Sequence, residues 1–254
     1  MSVATSASLR DASAAECESA RFAAYLAHEV RTPLATQRAL LELALADPHA
    51  DATSWREIGV DVLDACKQQE RLLDACVALA RSQSGLAQCA RLDLGSIVSD
   101  LLVDRDLGGL TMRSTLESAP ITGDPALIER LVHNLLANAI RHNRPGGWIE
   151  VSTRQSGGTA RFTVENTGPP IPVRELTRLF EPFHQVAEQG THDGAGGLGL
   201  GLAVAKAVAD AHDADVTAHA RLGGGLRVEV AFPPQKDEQR CVRAGPEQRP
   251  SLAL

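Results

Sequence analysis

Apolar residues recur every three or four positions through the N-terminal third of the chain, and this spacing restricts that region to helices. In the first helix they form a stripe about 140° wide that is expected to face a core; it comprises Phe22, Leu26, Val30, Leu34, Leu41 and Leu45. His28 lies about 160° away from Val30 on the helical wheel, with Glu29 on its flank and Thr32 one turn further along. A histidine on the exposed face beside a carboxylate and a hydroxyl indicates chemistry rather than packing.

Two other interpretations of this histidine have to be weighed. A His-Glu pair on a helix also occurs in zinc proteases, but that motif needs a second histidine where this chain has Thr32. A single exposed histidine is more often a solvated residue than a nucleophile. The rest of the chain therefore has to decide.

The first helix is predicted over Ala15–Ala46, with a kink at Pro33, and the second over Ser54–Ser82. The second helix has its own apolar seam, formed by Ile58, Val62, Ala65, Leu72, Cys76 and Leu79. Two helices joined by a short turn form an antiparallel hairpin. Because a lone hairpin cannot bury both stripes, we expect a homodimer that forms a four-helix bundle. The alternative is that the hairpin packs on its own C-terminal domain.

Beyond a hinge at residues 85–90, short strands alternate with helices. The predicted strands are Arg91–Leu94, Met112–Glu117, Trp148–Arg154, Ala160–Glu165, Val216–Ala220 and Leu226–Phe232. The predicted helices are Ser96–Leu107, Asp124–His142, Val173–Phe180 and Leu198–Ala211, and Asp124-Pro125 has the form of an N-cap followed by proline at the first helical position.

These elements predict an α+β chain with four parts. Residues 1–14 are a flexible lead-in, 15–84 the helical hairpin, 91–232 a two-layer α/β sandwich, and 233–254 a disordered tail rich in Pro, Gln, Arg and Glu.

One face of the predicted helix after Asp124 carries polar side chains. Asn134 and Asn138 are four residues apart, and Arg141 and His142 continue their face by another turn. Amides on a largely apolar helix cost free energy unless they are hydrogen-bonded or bind a ligand. An amide oxygen suits Mg²⁺, and an arginine one turn on suits phosphate. The alternative, two asparagines that cap nearby backbone, is about equally compatible with this segment alone.

A glycine-rich run, Gly194-Ala-Gly-Gly-Leu-Gly-Leu-Gly-Leu202, opens the last helix. It contains GxGxxG, but a dinucleotide fingerprint needs a strand directly before it and a βαβ unit around it, and the chain has neither. It is not a P-loop, since GxxxxGK[ST] is absent. Glycines nevertheless allow close backbone approach, and a helix N-terminus offers N–H groups to phosphate. A flexible linker is disfavoured because a long apolar helix follows at once.

Two further segments complete the pattern: Val164–Ile171, a strand that runs into a Pro/Gly turn, and Leu179–Phe183, whose two aromatic residues we interpret as an anchor that tethers a loop. With the stretch around His28, these segments resemble, in order, the H, N, G1, F and G2 boxes of the sensor histidine kinases of two-component systems. The resemblance covers roughly residues 18–232 and is greatest to kinases of actinobacterial type.

The resemblance implies a protein-histidine kinase made of a HisKA-type hairpin and a Bergerat-type ATP-binding domain, the fold of gyrase-like ATPases. Its cofactors would be ATP and Mg²⁺. His28 would be the phosphoacceptor, Glu29 the general base, and Thr32 the residue that positions a water for dephosphorylation of the partner. Autophosphorylation would be followed by transfer to an aspartate in the receiver domain of a response regulator.

In the ATP-binding domain, the resemblance implies that Asn138 holds Mg²⁺ with support from Asn134. The full set of implied nucleotide contacts is Asn134, Asn138, Arg141, His142, Asn166, Gly168, Gly197, Leu198, Gly199, Leu200 and Gly201. Residues 184–196 would form a lid over the ATP.

This sequence departs from the family pattern at two places. Asn166 stands where the family usually has the aspartate that accepts the adenine amino hydrogen, and His184-Gln185 stand where an arginine often follows the aromatic pair. An asparagine oxygen can still accept that hydrogen. A charged hydrogen bond contributes about 1.5–3 kcal/mol against about 1 kcal/mol for a neutral one, so we expect weaker binding.

Two rival functions follow. A catalytically weak or inactive dimeric scaffold that binds a response regulator is favoured by Asn166 and Gln185. A gyrase-like ATP hydrolase is disfavoured, because that class tends to have a catalytic glutamate at the position of Asn134.

Bulk properties exclude other classes. The net charge of −7 argues against a nucleic-acid partner, and no run approaches about 18 apolar residues, as a membrane span would require. The N-terminus lacks a signal peptide, and five scattered cysteines without a CxxC pair indicate reduced thiols. We therefore expect a cytoplasmic protein, or one held at a membrane by a partner or by a sensor segment outside this sequence.

Overall fold

The computed structural model describes residues 30–83, 86, 89–103, 105–186 and 199–234. The chain divides into two compact units, Met1–Asp74 and Ala75–Leu254. Among the described residues, no helix combines the length and the apolar character that a membrane crossing requires.

The first unit is built on two helices, α1 (residues 30–46) and α2 (Ala52–Gln83), of which α2 continues into the second unit. Helix α1 is continuous through Pro33. Asp51 starts α2, since its Oδ1 accepts the backbone N–H groups of Thr53 at 3.0 Å and Ser54 at 2.9 Å. Hydrogen bonds from Ser54 hold the pKa of Asp51 below its ordinary value. The second predicted helix is thus confirmed, with an earlier start.

The apolar stripe of α1 is exposed in the single chain. The prediction that the stripe faces a core is therefore wrong for one copy of the chain taken alone. Leu34 is 56% and Leu45 76% exposed, and Val30 and Leu41 are exposed as well. Gln37 and Ala44 are the buried residues of α1. The seam predicted for α2 is largely confirmed; Leu72 and Leu79 are buried and Ile58, Val62, Ala65 and Cys76 half-buried.

The second unit contains seven strands among its described residues. They are β1 (Ala90–Asp93), β2 (Thr111–Leu116), β3 (Pro120–Gly123), β4 (Trp148–Ser156), β5 (Thr159–Asn166), β6 (Asp215–Ala220) and β7 (Leu226–Phe232). Five of them form one sheet in the order β2-β4-β5-β7-β6, in which only the β2–β4 pair is parallel, and β1 pairs with β3 separately.

Four helices accompany the strands of this unit: α3 (Leu94–Leu102), α4 (Pro125–Arg141), α5 (Val173–Leu176) and α6 (Gly201–Ala211). Alternate residues of the central strands, such as Val151, Phe162 and Val230, are fully buried, and α4 packs against α3, α6 and β5. The alternate residues on the other face are polar and more exposed. This is the predicted two-layer α/β arrangement.

Three local predictions were wrong. Helix α3 begins at Leu94 because Asp93 caps it, and it ends at Leu102, since Val103 is extended, rather than at Leu107. Strand β3 was missed: it has only four residues and starts with a proline, which weakens the sequence signal. Helix α5 ends at Leu176, and turns replace the rest of the helix predicted to Phe180.

The thiol prediction also needs a correction. Cys66 and Cys76 are free, but Cys89 is disulfide-bonded. A disulfide depends on which residues the fold brings within bonding distance, and sequence spacing does not reveal that.

Asp124 and His212 join the start of α4 to the end of α6. The carboxylate of Asp124 accepts from the backbone of Ala126 and Leu127, as predicted for an N-cap. The backbone N–H of Asp124 donates to His212 Nε2 at 3.0 Å, and His212 Nδ1 donates to the Val208 carbonyl at 2.7 Å. The bond from Asp124 requires the neutral imidazole, because Nε2 has to accept, whereas Nδ1 can donate to Val208 in either protonation state.

We predict that this bond makes the stability of the second unit pH-dependent. Burial lowers the pKa of His212 below its ordinary value of 6.5. Between that lowered pKa and 6.5 the unfolded chain binds more protons than the folded one. The free energy of unfolding therefore has its full value above pH 6.5. It decreases as the pH falls below 6.5, by at most about 1.4 kcal/mol per pH unit.

Urea unfolding at a series of pH values tests this prediction, with His212→Gln as the variant that cannot ionise. The pH dependence should be shallower in the variant below pH 6.5. Equal pH dependence in the two proteins would contradict the role given to His212.

Candidate nucleotide-binding site

The last two turns of α4 present the predicted amide face. Asn134 is buried and Asn138 half-buried, and Arg141 and His142 are exposed at the helix end. Asn134 Nδ2 is buried and has no hydrogen-bond partner among the described residues. An unpaired buried donor costs about 1–3 kcal/mol, so this position suits a site in which a ligand oxygen supplies the missing acceptor.

Asn166 is the last residue of β5 and lies between β4 and β7, paired with Ile149 on one side and Leu226 on the other. Its side chain is buried, and its Nδ2 donates to the carbonyl of Thr167 at 2.7 Å. The position implied for base recognition is thus held by the central strands of the sheet rather than by a loose loop.

The turn after Asn166 lies directly against the end of α4. A Cβ added to Gly168 would lie 2.4 Å from the carbonyl oxygen of His142, a distance that no side chain tolerates. Glycine is therefore required for this approach. The close contact brings the predicted residues His142, Asn166 and Gly168 into one cluster.

The turn between β6 and β7 closes the other side of this cluster. Gly225 donates its N–H to the Pro169 carbonyl at 3.0 Å, and a Cβ at Gly225 would lie 2.0 Å from the Asn166 carbonyl oxygen. Arg221 supports the same turn: its guanidinium stacks 4.5 Å from the centre of the Trp148 ring and its Nε donates to Glu165 at 2.7 Å.

The start of α6 has two features that suit phosphate binding. Gly201 is its first residue, and a Cβ there would meet nothing within 4 Å. Leu200 precedes Gly201 and has no side chain that could cap the helix. The side chain of Leu200 is buried in the core, so only its backbone could make the nucleotide contact that the resemblance implies. Uncapped N–H groups at the N-terminus of a helix favour an anion.

The aromatic segment before residue 187 is tied to the start of α6. The N–H of Phe183 donates to the Gly199 carbonyl at 3.0 Å, and both residues have a φ of 66°. A Cβ at Gly199 would lie 2.8 Å from the His184 carbonyl, so the approach depends on glycine. His184 Nε2 in turn lies 2.9 Å from Glu175 Oε2. The backbone of this segment is therefore fixed against the start of α6, and the anchoring role of the two aromatic side chains stays a prediction.

Some predicted site residues lie outside the described residues, namely His28, Glu29, Gly197 and Leu198. Thr32 is exposed on α1, and its carbonyl accepts from Thr36 Oγ1 at 3.1 Å. Sequence analysis gave no role to Asn143, Thr167, Arg221 or Gly225. The Gly223-Gly224-Gly225 run between the last two predicted strands is typical of a turn, but a glycine run does not indicate what the turn contacts.

A protein-only metal site does not form among the described residues, where no group of three His, Cys, Asp or Glu side chains is placed to hold a metal ion. The donors present on α4 are amides. This set fits an Mg²⁺ that arrives with the oxygens of a nucleotide, since one amide oxygen then completes a largely phosphate and water shell.

Two family models match the sequence. Residues 18–85 match the His Kinase A (phospho-acceptor) domain, and residues 123–236 match the histidine kinase-, DNA gyrase B- and HSP90-like ATPase. The sensor protein CutS of Streptomyces coelicolor is 38% identical over 218 residues, which cover 84% of this chain and 52% of CutS. The chain thus spans about half the length of this relative.

Two solved structures have a similar fold. The histidine kinase AdeS of Acinetobacter baumannii matches with a TM-score of 0.63 and 22% identity, over 82% of this chain and 98% of that structure. The histidine kinase ThkA in complex with the response regulator TrrA matches with a TM-score of 0.62 and 19% identity, over 85% of this chain and 61% of that one. At these identities the likeness concerns the fold alone.

We predict that Gly225→Ala destabilises the second unit, whereas Gly223→Ala in the same turn has little effect. The alanine Cβ at 225 would collide with the Asn166 carbonyl, at a φ of 102° that disfavours any side chain, while a Cβ at 223 would meet nothing within 4 Å. The cost at 225 should be about 1–3 kcal/mol. Urea unfolding of both variants measures it, and equal stability of the two would contradict the close approach.

Proposed function

We propose that this chain, which belongs to the sensor histidine kinase family, uses ATP with Mg²⁺ to phosphorylate His28 and transfers the phosphoryl group to an aspartate of a response regulator. The observation that carries the proposal is the unpartnered, buried Nδ2 of Asn134. It lies in a segment that the ATPase family model matches, on the same helix face as Asn138. A structural asparagine would have satisfied this donor within the fold.

The nucleotide would bind between the end of α4, the turn after β5 and the start of α6. Asn166 would contact the base and Asn138 Oδ1 would hold Mg²⁺, with Asn134 in support. The backbone of residues 197–201 would approach the phosphates, and Gly201 leaves space for them. Arg141 and His142 at the exposed end of α4 would add phosphate or base contacts. When bound, ATP would supply the phosphoryl group, and Mg²⁺ would neutralise part of the charge on the phosphates.

His28 would be the nucleophile. Its imidazole attacks the γ-phosphorus, so that a P–N bond forms as the P–O bond to ADP breaks. Glu29 takes the proton from the other ring nitrogen, which keeps the attacking nitrogen's lone pair available near neutral pH. The phosphoryl group then moves from nitrogen to a receiver-domain aspartate. Thr32, one turn further on the exposed side of α1, would position a water that hydrolyses the aspartyl phosphate of the response regulator to a free carboxylate and inorganic phosphate.

A homodimer would cover the exposed leucines of α1. Leu34, Leu41 and Leu45 present apolar surface to solvent in the single chain. A contiguous apolar stripe on a helix marks an interface, and pairing two hairpins buries it in a four-helix bundle. The family's phosphoacceptor domain and the ThkA–TrrA complex support a dimer that docks a response regulator. Because ATP is a cytoplasmic substrate, this kinase core would work on the cytoplasmic side.

We predict that Leu41→Glu weakens the dimer. Leu41 is 40% exposed in the single chain, so covering it gains about 0.6–1.2 kcal/mol. The change occurs twice per dimer, so the dissociation constant should rise about tenfold or more. Leu43→Glu is the matched control, because Leu43 is 69% exposed on the same helix but on the face opposite this stripe. Sedimentation velocity gives the constants. Equal association of both variants would contradict this interface.

The kinase proposal is tested with γ-labelled ATP and Mg²⁺. We expect acid-labile, alkali-stable label on the parent protein and none on His28→Ala. His49→Ala is the matched control, since His49 is an exposed histidine in the turn between α1 and α2. It should be labelled like the parent, because it lies outside every motif of the family.

The opposite results are equally informative. Label that persists in His28→Ala would remove His28 as the acceptor. Measurable ATP binding without any label would favour the catalytically inactive scaffold, for which Asn166 and Gln185 are the sequence features. If that unlabelled protein also bound a receiver domain, docking of the response regulator would be established as its function.

A further inference from the structure

The amide of Asn166 has a defined orientation. Its Nδ2 donates to the carbonyl of Thr167 at 2.7 Å. A carbonyl oxygen only accepts hydrogen bonds, so the amide group that faces it must be the NH₂. Rotation of the amide by 180° would set two oxygens against each other. Asn166 Oδ1 is therefore turned away from this contact, and it accepts no hydrogen bond from the residues that the structure describes.

Thr167 is itself immobilised, which fixes the carbonyl that orients Asn166. Its backbone N–H donates to the Trp148 carbonyl at 3.1 Å, and its Oγ1 accepts from the Trp148 N–H at 2.8 Å. The same hydroxyl donates to Asn143 Oδ1 at 2.6 Å. Thr167 is 2% exposed, so solvent competes little for these bonds.

Asn143 connects this contact to the end of α4. Its Oδ1 also accepts the N–H of Arg144 at 2.9 Å, and its Nδ2 lies within 3.2 Å of the carbonyl of Ala139 and 3.1 Å of that of Trp148. The space is closed, because a Cβ on Gly147 would lie 2.2 Å from Asn143 Oδ1 and 2.3 Å from Thr167 Oγ1. All the hydrogen-bonding capacity of the Asn143 amide is used inside the protein.

We propose that Asn143 and Thr167 are positioning residues that present Asn166 Oδ1 as an acceptor, so that the site selects 6-aminopurine nucleotides over 6-oxopurine nucleotides. A 6-aminopurine has an NH₂ donor at C6, whereas a 6-oxopurine has a carbonyl there. An asparagine free to rotate could pair with either group. Held in this orientation, Asn166 discriminates as a carboxylate would, without the charge.

This inference rests on the proposed function, because it assumes that the base meets Asn166. It concerns base selection only, and it can therefore be tested by binding alone. ATP and ITP are suitable probes, since their purines differ only at this edge: ATP has an amino donor at C6 and an acceptor at N1, and ITP has an oxo acceptor at C6 and a donor at N1. The quantity of interest is the ratio of their dissociation constants, measured by calorimetry on the full chain with Mg²⁺.

We expect the parent protein to bind ATP about tenfold more tightly than ITP, or better, because ITP leaves acceptors facing each other. Thr167→Val has the same shape but loses both hydroxyl bonds, and its ratio should fall to about threefold or less. Thr167→Ser keeps the hydroxyl and should keep the ratio. Asn143→Ala is the second variant, and it should lower the ratio as Thr167→Val does.

A rescue separates positioning from a general loss of structure. In the double variant Asn166→Asp with Thr167→Val, both carboxylate oxygens are acceptors. The carboxylate turns away from the carbonyl of residue 167, to which it cannot donate, and whichever oxygen meets the base restores the preference for ATP. Damage to the fold would not be repaired in this way.

The possible failures are distinguishable. If Thr167→Val and Asn143→Ala weaken ATP and ITP equally and leave the ratio unchanged, the positioning role is overturned, while the proposed function stands. If the parent protein binds neither nucleotide, the proposed function is overturned. A rescue variant that stays unselective would also overturn the positioning role.

Discussion

The junction at the end of β5 depends on backbone segments that approach more closely than side chains permit. The Asn166 carbonyl, the turn at Gly168 and the turn at Gly225 meet where an added Cβ would lie 2.0–2.4 Å from a neighbouring oxygen. Only glycine allows these contacts, and they align the end of α4 with the central strands. The donors at Asn134 and the amide of Asn166 can be held in place because this junction leaves the backbone little freedom.

Polar groups of the second unit serve two separate purposes. Asp124 and His212 satisfy each other and their helix ends completely, which is what a buried structural network requires. Asn143 and Thr167 are equally satisfied, whereas Asn134 Nδ2 is left without a partner on the neighbouring helix face. The amide of Asn143 is fully satisfied, whereas Asn134 Nδ2 is left open, and this difference indicates a place kept for a ligand.

Sequence reasoning was accurate where the cause is local. The Asp124-Pro125 start of α4 and strand Leu226–Phe232 follow from residues next to one another. It failed where distant residues decide: the bond from Asp124 to His212 spans 88 residues, and the bond from Thr167 to Asn143 spans 24. The stripe around Leu34 was found by its period, but periodicity does not reveal which surface covers it. The sequence singled out Gly168 and Gly199, whose backbone approaches require glycine. It did not single out Gly225 or the partners Asn143 and Thr167, because distant contacts decide their roles.

The replacement of an aspartate by Asn166 changes affinity and selectivity separately. Affinity follows charge, and an amide forms a weaker hydrogen bond than a carboxylate. Selectivity follows orientation, because an amide carries a donor and an acceptor that are almost the same size. The sequence shows only the loss of charge. The contact from Asn166 to the Thr167 carbonyl fixes the amide, and under the proposed base contact a fixed amide would supply the selectivity that the charge otherwise contributes. Weaker ATP binding and undiminished choice of base are therefore compatible in one site.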